Sequence, residues 1–435
     1  MLSAFRAALT TPDLRKKILF TLGVVAVYRL GANIPSPGVS YPNVQECLRQ
    51  VEGSENAGIY SLINLFSGGA LLQLSILALG IMPYITASII IQLLTVVIPR
   101  FEALKKEGQS GQNKLTQYTR YLTIALAILQ ATGIVSLANS GALLGNCPGI
   151  IPDDSVFNLA VIVIVMTAGT AIVMWLGEQV TEKGVGNGMS LLIFASIAHR
   201  IPAEGMNILN NAGPLVFAGV CVFGLAIIVS VVFVEQGQRR IPVQYAKRMV
   251  GRRMYGGTST YLPLKVNQAG VIPVIFGSSL LYLPDLVARL VGNDGGWFQQ
   301  FVQTYLVDQS NWLHILLYVA LIIFFTYFYV GITFNPEERA DEMKKFGGFI
   351  PGIRPGRPTA EYLNFVLSRI TLPGSLYLGI IAVLPNFFLG VTGSGQNQNF
   401  PFGGTAVLIM VGVGLDTVKQ IESQLMQRNY EGFLR

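Results

Sequence analysis

Charged side chains are scarce in this sequence. Only 12% of its 435 residues are Asp, Glu, Lys or Arg, whereas a soluble domain usually carries about a quarter. Hydrophobic residues make up 51% of the chain. These proportions leave too few polar side chains to cover several soluble domains, so we expect most of the surface to face lipid rather than water.

Residues that bind metals or phosphate are rare as well. Three cysteines and two histidines are too few for a metal cluster or a disulfide framework. Neither the HExxH zinc-binding motif nor the GxxxxGKS/T phosphate-binding loop occurs. We therefore expect no cofactor and no catalytic activity of the chain itself, and any nucleotide-driven work to come from a partner.

Long apolar runs predict an all-α polytopic membrane protein. A helix needs about 20 apolar residues to cross the core of a bilayer. By this criterion ten spans are predicted, at residues 18–35, 76–98, 121–139, 156–176, 188–202, 214–234, 269–288, 312–334, 370–390 and 404–418.

Lysine and arginine are distributed unevenly between the loops. With a cytosolic N-terminus, 26 of the 30 lie in cytosolic segments, three (Arg49, Arg200 and Arg289) lie outside, and Arg29 lies within the first span. Cytosolic loops of membrane proteins favour these residues, so both termini are predicted to be cytosolic. The basic cytosolic face would attract acidic partners such as lipid headgroups, ribosomal RNA or an acidic protein.

The ten predicted spans divide into two halves of five. Halves with an odd number of spans have opposite orientations, as in inverted-repeat transporters and channels. We expect an N-terminal half at 1–202, an external hinge loop at 203–213 and a C-terminal half at 214–435. The second half carries long basic cytosolic loops at 235–268 and 335–369.

The apolar stretch 59–98 is too long for one span. Gly68 and Gly69 interrupt it, and each glycine lowers helix stability by about 1 kcal/mol. One interpretation is a half-helix that enters a cavity from the outer side, followed by a full span, since irregular backbone at membrane depth is tolerated where it lines a cavity. The other is an interfacial helix on the outer surface, and the sequence favours neither.

Five sequence motifs resemble the SecY family of translocase channels, in the same order along the chain. They are YRLGANIPSPG after the first span, FSGGALLQLSILALGIMPYITASIIIQLLTVV at the second, GVGNGMSLLIF at the fifth, QYAKRMVGRRMYGGTSTYLPLKVNQAGVIPVIF before the seventh and FIPGIRPGRPT before the ninth. Together they extend over nearly the whole chain, which makes the resemblance very specific.

The resemblance implies a clamshell of two inverted five-helix halves in the bacterial plasma membrane. Such a channel has an apolar constriction, a plug at about 59–75 and a lateral gate between the second and seventh spans. It passes unfolded secretory proteins outward and releases apolar segments into membrane lipid. The implied partners are SecE, SecG and either the ATPase SecA or a docked ribosome.

Carried over position by position, the resemblance also implies functional residues. The constriction would comprise Ile81, Ile85, Met189, Ile193, Ile275 and Ile409, where Met189 replaces the usual isoleucine. The plug would include Leu65, Phe66, Ser67, Gly68 and Gly69. Partner contacts would involve Lys247, Arg248, Arg252, Arg253, Arg354 and Arg357 in the two basic loops. For each of these basic residues, retention of the loop in the cytosol is an alternative role.

Two other classes of membrane protein were weighed against a channel. An ion-coupled transporter needs ionisable ligands at mid-membrane, and the predicted spans hold almost none. An intramembrane protease needs a Ser/His or Asp/Asp pair at a common depth, and the sequence predicts no such pair, since His199 and His314 lie near span ends.

Two of the three cysteines are predicted to lie outside the cell. Cys47 follows the first span, Cys147 follows the third, and Cys221 lies within the sixth. The outer side of a bacterial membrane permits disulfides. A Cys47–Cys147 bond would therefore brace the N-terminal half, and two unpaired loop cysteines are the alternative.

Overall fold

Helices make up most of the structure. The computed structural model describes residues 10–51, 68–141, 149–245, 248–250, 253–255, 259–290, 300–307, 311–391 and 404–433. The α-helices of this part are α1 (Pro12–Ala32), α2 (Tyr41–Val51), α3 (Met82–Val97), α4 (Pro99–Lys106), α5 (Gln109–Asn139), α6 (Val156–Lys183), α7 (Gly188–Ala212), α8 (Pro214–Gln236), α9 (Ile272–Leu290), α10 (Trp312–Thr333), α11 (Pro336–Lys345), α12 (Arg357–Val391) and α13 (Gly404–Phe433). A π-helical segment, Val302–Val307, lies between α9 and α10.

The strands lie in the two long basic loops. They are β1 (Gln238–Tyr245), β2 (Arg248–Val250), β3 (Arg253–Tyr255), β4 (Ser259–Lys265) and β5 (Gly348–Phe349). An antiparallel sheet has the order β4–β1–β5, and β2 pairs with β3 separately. We refer to residues 238–265, between the ends of α8 and α9, as the basic hairpin.

Every predicted span overlaps a long helix, namely α1, α3, α5 to α10, α12 or α13. Within the described residues, five helical segments are long and apolar enough to cross a membrane, or six if α3 and α4, which meet at a bend of 99°, form one span. The fold is therefore that of a helical multi-pass membrane protein. Fewer helices meet this criterion than the ten predicted, since helices such as α1 and α13 also contain several charged residues.

Helix α8 shows how the chain meets lipid. One face exposes large apolar side chains at Leu215, Val222, Leu225, Val229 and Phe233. Its opposite face is buried against the bundle. A helix that is apolar on all sides must be surrounded by protein or by lipid. The exposed apolar face therefore identifies the lipid-facing side of α8.

Polar caps begin several of the long helices. The side-chain oxygens of Asn187, Asn311 and Asn335 accept hydrogen bonds from backbone N–H groups in the first turns of α7, α10 and α11. Ser155 does the same for α6. Each cap satisfies a donor that the helix leaves unpaired and stabilises it by about 1 kcal/mol.

The second predicted span begins later than expected. Its helix, α3, begins at Met82 instead of residue 76. Residues 68–81 form consecutive turns, with positive φ at Gly68 (62°), Leu74 (45°) and Gly80 (55°). Such backbone angles are incompatible with a right-handed helix, so this stretch remains irregular.

Backbone contacts bind these turns to the chain that leaves α1. Ile76 N–H donates to the carbonyl of Ile34 at 2.9 Å, and Ser36 N–H donates to the carbonyl of Leu74 at 2.9 Å. The irregular segment therefore has a defined place in the N-terminal half, because its backbone groups are satisfied by the neighbouring loop.

The expected hinge loop at 203–213 is mostly helical. Helix α7 continues through Pro202 to Ala212, and α8 begins at Pro214. Only Gly213 separates them, with a φ of 85°. The prediction of a loop was wrong because it treated the apolar run as the whole helix, whereas α7 continues for about three turns beyond it.

Buried apolar side chains form three large clusters. One lies within the N-terminal half and includes Ala127 and Met166. Another lies within the C-terminal half and includes Ile322 and Leu378. The third contains residues from both halves. The halves therefore meet through apolar packing, and the predicted constriction lies at that junction.

Candidate functional site

The six predicted constriction residues belong to the cluster between the halves. Ile81, Ile193, Ile275 and Ile409 are buried in it, with exposed fractions of 2%, 4%, 6% and 0%. Ile85 and Met189 pack against it and are partly buried. We refer to these six residues as the constriction cluster.

Local helix geometry places the N-terminal members of the cluster. Ile81 immediately precedes α3, and Ile85 lies one turn later, with its N–H donating to the carbonyl of Ile81 at 3.1 Å. Met189 and Ile193 are four residues apart on α7. Residues separated by four positions lie on the same helix face, so each helix contributes two neighbouring apolar side chains.

The C-terminal half contributes the other two members. Ile275 lies in the first turn of α9, and Ile409 lies in the second turn of α13. Both are near the N-terminal end of their helix, at positions four and six respectively. The cluster is thus formed by four helices, two from each half of the chain.

Close helix packing places Met189. A Cβ added to Gly188 would clash with the Gly177 carbonyl, and one added to Gly177 would clash with the Met189 sulfur. The start of α7 is also fixed by Thr181, whose hydroxyl accepts from Gly188 N–H at 2.9 Å. These contacts hold α7 against α6, and a flexible thioether fits this narrow space.

An open cavity of about 930 Å³ adjoins the cluster. Four constriction residues, Ile85, Met189, Ile193 and Ile275, are among those that line it. The remaining lining includes many polar side chains from α3, α5, α6 and α7. The constriction therefore forms an apolar end of a vestibule that also has polar side chains in its wall.

A bidentate ion pair stabilises the vestibule wall. Arg120 of α5 donates from Nε and Nη2 to the two carboxylate oxygens of Glu178 on α6, at 2.9 Å and 2.8 Å. Two parallel hydrogen bonds of this kind are shorter and more directional than a simple ion pair. The pair fixes α5 relative to α6 beside the cavity.

Only part of the predicted plug can be placed. Leu65, Phe66 and Ser67 lie outside the described residues. Gly68 has a φ of 62°, and a Cβ added there would lie 2.7 Å from Arg29 Nη1. Gly69, at 95°, is also in the left-handed region. Glycine is therefore required at Gly68 for both backbone angle and space.

Arg29 is a contact residue that the sequence interpretation did not include. Its Nη1 donates to the Gly68 carbonyl at 3.2 Å, while Nη2 is buried without a hydrogen-bond partner in the described part of the chain. A cation within a membrane span is costly and commonly functional. The signal was present, since Arg29 lies well inside the first predicted span, away from either end.

A second contact joins α1 to α7 beside the constriction. The hydroxyls of Tyr28 and Ser196 lie 2.9 Å apart, and Tyr28 belongs to the same buried cluster as the constriction residues. This hydrogen bond satisfies two buried polar groups. It therefore keeps the first helix of the chain next to the cluster.

Four of the six predicted partner-contact residues lie within the described part of the chain. Arg248 begins β2 and Arg253 begins β3, where Arg253 opposes Val250. Lys247 and Arg252 lie outside the described residues. Arg354 is exposed in the loop after β5, and Arg357 is exposed at the start of α12.

The sheet brings the two basic loops together. Gln244 of β1 opposes Phe349 of β5, which precedes the Arg354 loop. The Arg354 carbonyl accepts from the Thr359 hydroxyl at 2.8 Å. Both loops therefore form one structured surface, which the sequence did not indicate because β5 is only two residues long.

Cys47 is buried and disulfide-bonded. Cys147 lies outside the described residues. Cys221 is free and exposed on α8. The structure therefore distinguishes the buried, bonded Cys47 from the exposed, free Cys221.

The fold and the constriction together define a class of protein. A multi-pass helical protein with two halves that meet around an apolar centre, beside an open vestibule, has the architecture of a membrane channel. Comparisons with known proteins agree with this class and specify the family.

Sequence relatives cover the whole chain. The family model described as SecY matches residues 75–418. Protein translocase subunit SecY of Mycobacterium tuberculosis (strain ATCC 25618 / H37Rv) is 71% identical over 441 residues, covering 100% of both chains. Protein translocase subunit SecY of Streptomyces coelicolor is 64% identical over 442 residues, again covering 100% of both. The chain belongs to the SecY family.

Solved structures share the fold. One described as the structure of a protein conducting channel has a TM-score of 0.62 at 18% identity, covering 94% of this chain and 91% of that chain. Sec61 in the canine ribosome-channel complex from the endoplasmic reticulum has a TM-score of 0.57 with the same coverage. The fold is therefore that of these channels.

Proposed function

We propose that the chain is the channel subunit of a bacterial protein translocase. It passes unfolded secretory proteins through the constriction cluster and releases apolar segments sideways into lipid. The observation that carries this proposal is the meeting of six apolar side chains from both halves at one buried position. Family membership supports it independently.

The chemistry of the cluster suits a channel for many different polypeptides. Six aliphatic or thioether side chains offer no polar group that could select one substrate sequence. An apolar constriction excludes hydrated ions by dewetting. The cluster can therefore surround an extended chain loosely and still block ions when the channel is empty.

The proposed architecture is a clamshell of ten spans in two inverted halves, at 1–202 and 214–435. Its hinge is the α7–α8 junction around Gly213, and its plug lies at about 59–75. The close packing of α7 with α8 and α13 supports a hinge at this position, because these helices connect the halves. Both termini lie in the cytosol, as the distribution of Lys and Arg predicts.

The lateral gate is proposed to lie between α3 and α9. Ile85 of α3 and Ile275 of α9 both line the cavity and belong to the constriction cluster. Separation of these helices would open the cluster and the adjoining lipid together. An apolar segment would then leave, with a gain of a few tenths of a kcal/mol per Leu or Ile.

The surface around the basic hairpin is proposed to bind cytosolic partners. Arg354 and Arg357 are exposed there, beside the sheet that joins both basic loops. Positive surfaces steer acidic partners and speed their association. The proposed partners are the ATPase SecA or a ribosome for driving force, with SecE and SecG as membrane subunits.

Ion conductance in planar bilayers tests the proposal. Replacing Ile85 and Ile409 with Ser, singly and together, should wet the constriction and raise the resting conductance, while export of preprotein persists. Ile164→Ser is the matched control, since Ile164 is 66% exposed on α6 and outside the cluster. Unchanged conductance in the double variant would refute the assignment of the constriction.

A further inference from the structure

The base of the basic hairpin holds a buried polar pair. Glu235, near the end of α8, is 9% exposed, and Asn267, two residues after β4, is 2% exposed. The Asn267 Nδ2 atom donates to Glu235 Oε1 at 2.5 Å. A buried carboxylate is costly unless it is hydrogen-bonded, so this contact must have a strong structural or functional reason.

Asn267 also reaches the entrance of α9. The same Nδ2 atom donates to the Gly270 carbonyl at 3.0 Å. Gly270 has a φ of 63°, and α9 begins two residues later at Ile272. One side-chain amide therefore connects the end of α8 to the turn that leads directly into α9.

The path from this turn to the constriction is short. Val271 is packed against the constriction cluster, and its carbonyl accepts from the N–H of Ile275 at 3.3 Å. A Cβ added to Gly412 of α13 would lie 2.9 Å from Val271. A displacement at Gly270 would therefore be transmitted to Ile275 through adjoining, closely packed residues.

The hairpin can act as a rigid body at the other end of this path. Its base is closed by Val266 N–H, which donates to the Gly237 carbonyl at 3.0 Å. Ile241 and Leu264 of the hairpin are buried together with residues of α10 and α12. A packed antiparallel sheet of this kind transmits a push better than a flexible loop would.

The polar pair is incompletely satisfied in this conformation. Among the described residues, Asn267 Oδ1 has no hydrogen-bond partner, although this atom is buried. Unsatisfied buried polar atoms are rare in proteins. They lower the cost of moving to a second arrangement in which these atoms gain partners, which suits a joint that must move.

We propose that Glu235 and Asn267 are positioning residues that couple the basic hairpin to α9. A partner that displaces the hairpin moves Asn267, the Gly270 turn and then Ile275 of the constriction. This inference rests on the proposed function, since it takes the hairpin as the partner surface and α9 as a gate helix. It adds the specific joint through which a docked partner opens the channel.

A swap of donor and acceptor tests the joint. Asn267→Asp places two carboxylates together, which removes the donor and adds like-charge repulsion. When Glu235→Gln is added to the same chain, the amide at position 235 donates and the carboxylate at position 267 accepts. The hydrogen bond is then restored with its direction reversed. We expect Asn267→Asp to lower SecA-driven preprotein translocation about tenfold, with SecA affinity within about twofold of wild type, and the double variant to regain most of the loss.

The control variant is Asp416→Asn. Asp416 lies 3.4 Å from Lys265 at the same hairpin base, but both side chains are largely exposed, at 65% and 41%. Exposed ion pairs contribute little, so translocation should change less than about twofold. If Asp416→Asn lowered translocation as much as Asn267→Asp does, the proposal would be overturned. Any change of charge at the base of the hairpin would then be enough to lower translocation.

Three further outcomes are decisive. Wild-type translocation by Asn267→Asp overturns the proposal. A loss of SecA binding that parallels the loss of translocation also overturns it, because the pair would then only shape the docking surface. If Asn267→Asp fails to accumulate, Glu235→Leu decides instead, because leucine removes the acceptor of the Asn267 amide, and wild-type translocation by this variant overturns the proposal. Failure of the unmodified chain to translocate would instead refute the proposed function.

Discussion

Isoleucine recurs at the constriction, at five of the six positions. A branched aliphatic side chain has few rotamers and no polar atom, so it forms a firm surface that water wets poorly. Met189 departs from this pattern because its sulfur lies against the space left by Gly177. Under the proposed function, the composition of the cluster follows from two requirements, exclusion of ions and close packing of α6 with α7.

Cysteine chemistry gives a prediction for single residues. We propose that Cys47, which is disulfide-bonded, is paired with Cys147. Intact cells should show no labelling of either cysteine by an impermeant maleimide before reduction, and labelling of Cys147 after it. Loss of such a bond through Cys147→Ser should cost about 2–4 kcal/mol of stability. Full labelling of Cys147 before reduction would exclude the bond.

The constriction residues were predicted from the resemblance to a family, and helix periodicity explains why four of them lie close together. Ile81, Ile85, Met189 and Ile193 are spaced by four residues on one face of a turn or helix, and the structure brings them together. Arg29 was missed as a contact residue because its partner is a backbone carbonyl, that of Gly68. Side-chain patterns in a sequence carry no information about such a partner.

Secondary-structure elements differ in how well the sequence predicts them. Long apolar helices such as α8 were expected close to their observed bounds, since burial in lipid and protein requires an apolar surface on all sides. The late start of α3 depends on positive φ angles at Gly68 and Gly80, and the extension of α7 depends on polar helical turns beyond the apolar run. The β4–β1–β5 sheet depends on pairing between distant loops, which is a property of tertiary structure.

The loop after β5 provides a prediction at the level of elements. Arg354→Glu should lower stimulation of the SecA ATPase by about tenfold, because it reverses an exposed charge on the surface shared by both basic loops. Folding should be unchanged, since the side chain is exposed. The rate of ATP hydrolysis by SecA is measured in the presence of the purified chain in proteoliposomes, and folding of each variant is measured by thermal unfolding.

Lys345→Glu is the matched control for Arg354→Glu. It makes the same change of charge at the exposed end of α11, a few residues before β5. We expect Lys345→Glu to lower stimulation of the SecA ATPase by less than about threefold. Equal losses in the two variants would show that net charge matters and that the Arg354 position does not.

An apolar junction between the two halves suits a molecule that opens as a channel. Packing within each half is provided by the clusters around Met166 and Ile322. The constriction residues at the junction have aliphatic or thioether side chains, so no polar contact among them has to break when the halves separate. Separation of the halves would thus expose apolar surface to an apolar segment or an extended chain, which can replace the apolar contacts of the junction.

Site-specific crosslinking to a stalled substrate tests this central claim most directly. Ile85→Cys and Ile409→Cys are each combined with Cys221→Ser, since Cys221 is free and exposed. A preprotein with one cysteine is stalled during translocation by a folded C-terminal domain and then oxidised. Ile164→Cys, on the exposed face of α6, is the control. The account predicts crosslinks from both Ile85→Cys and Ile409→Cys and none from the control, whereas crosslinking at the control without crosslinking at either constriction position would contradict it.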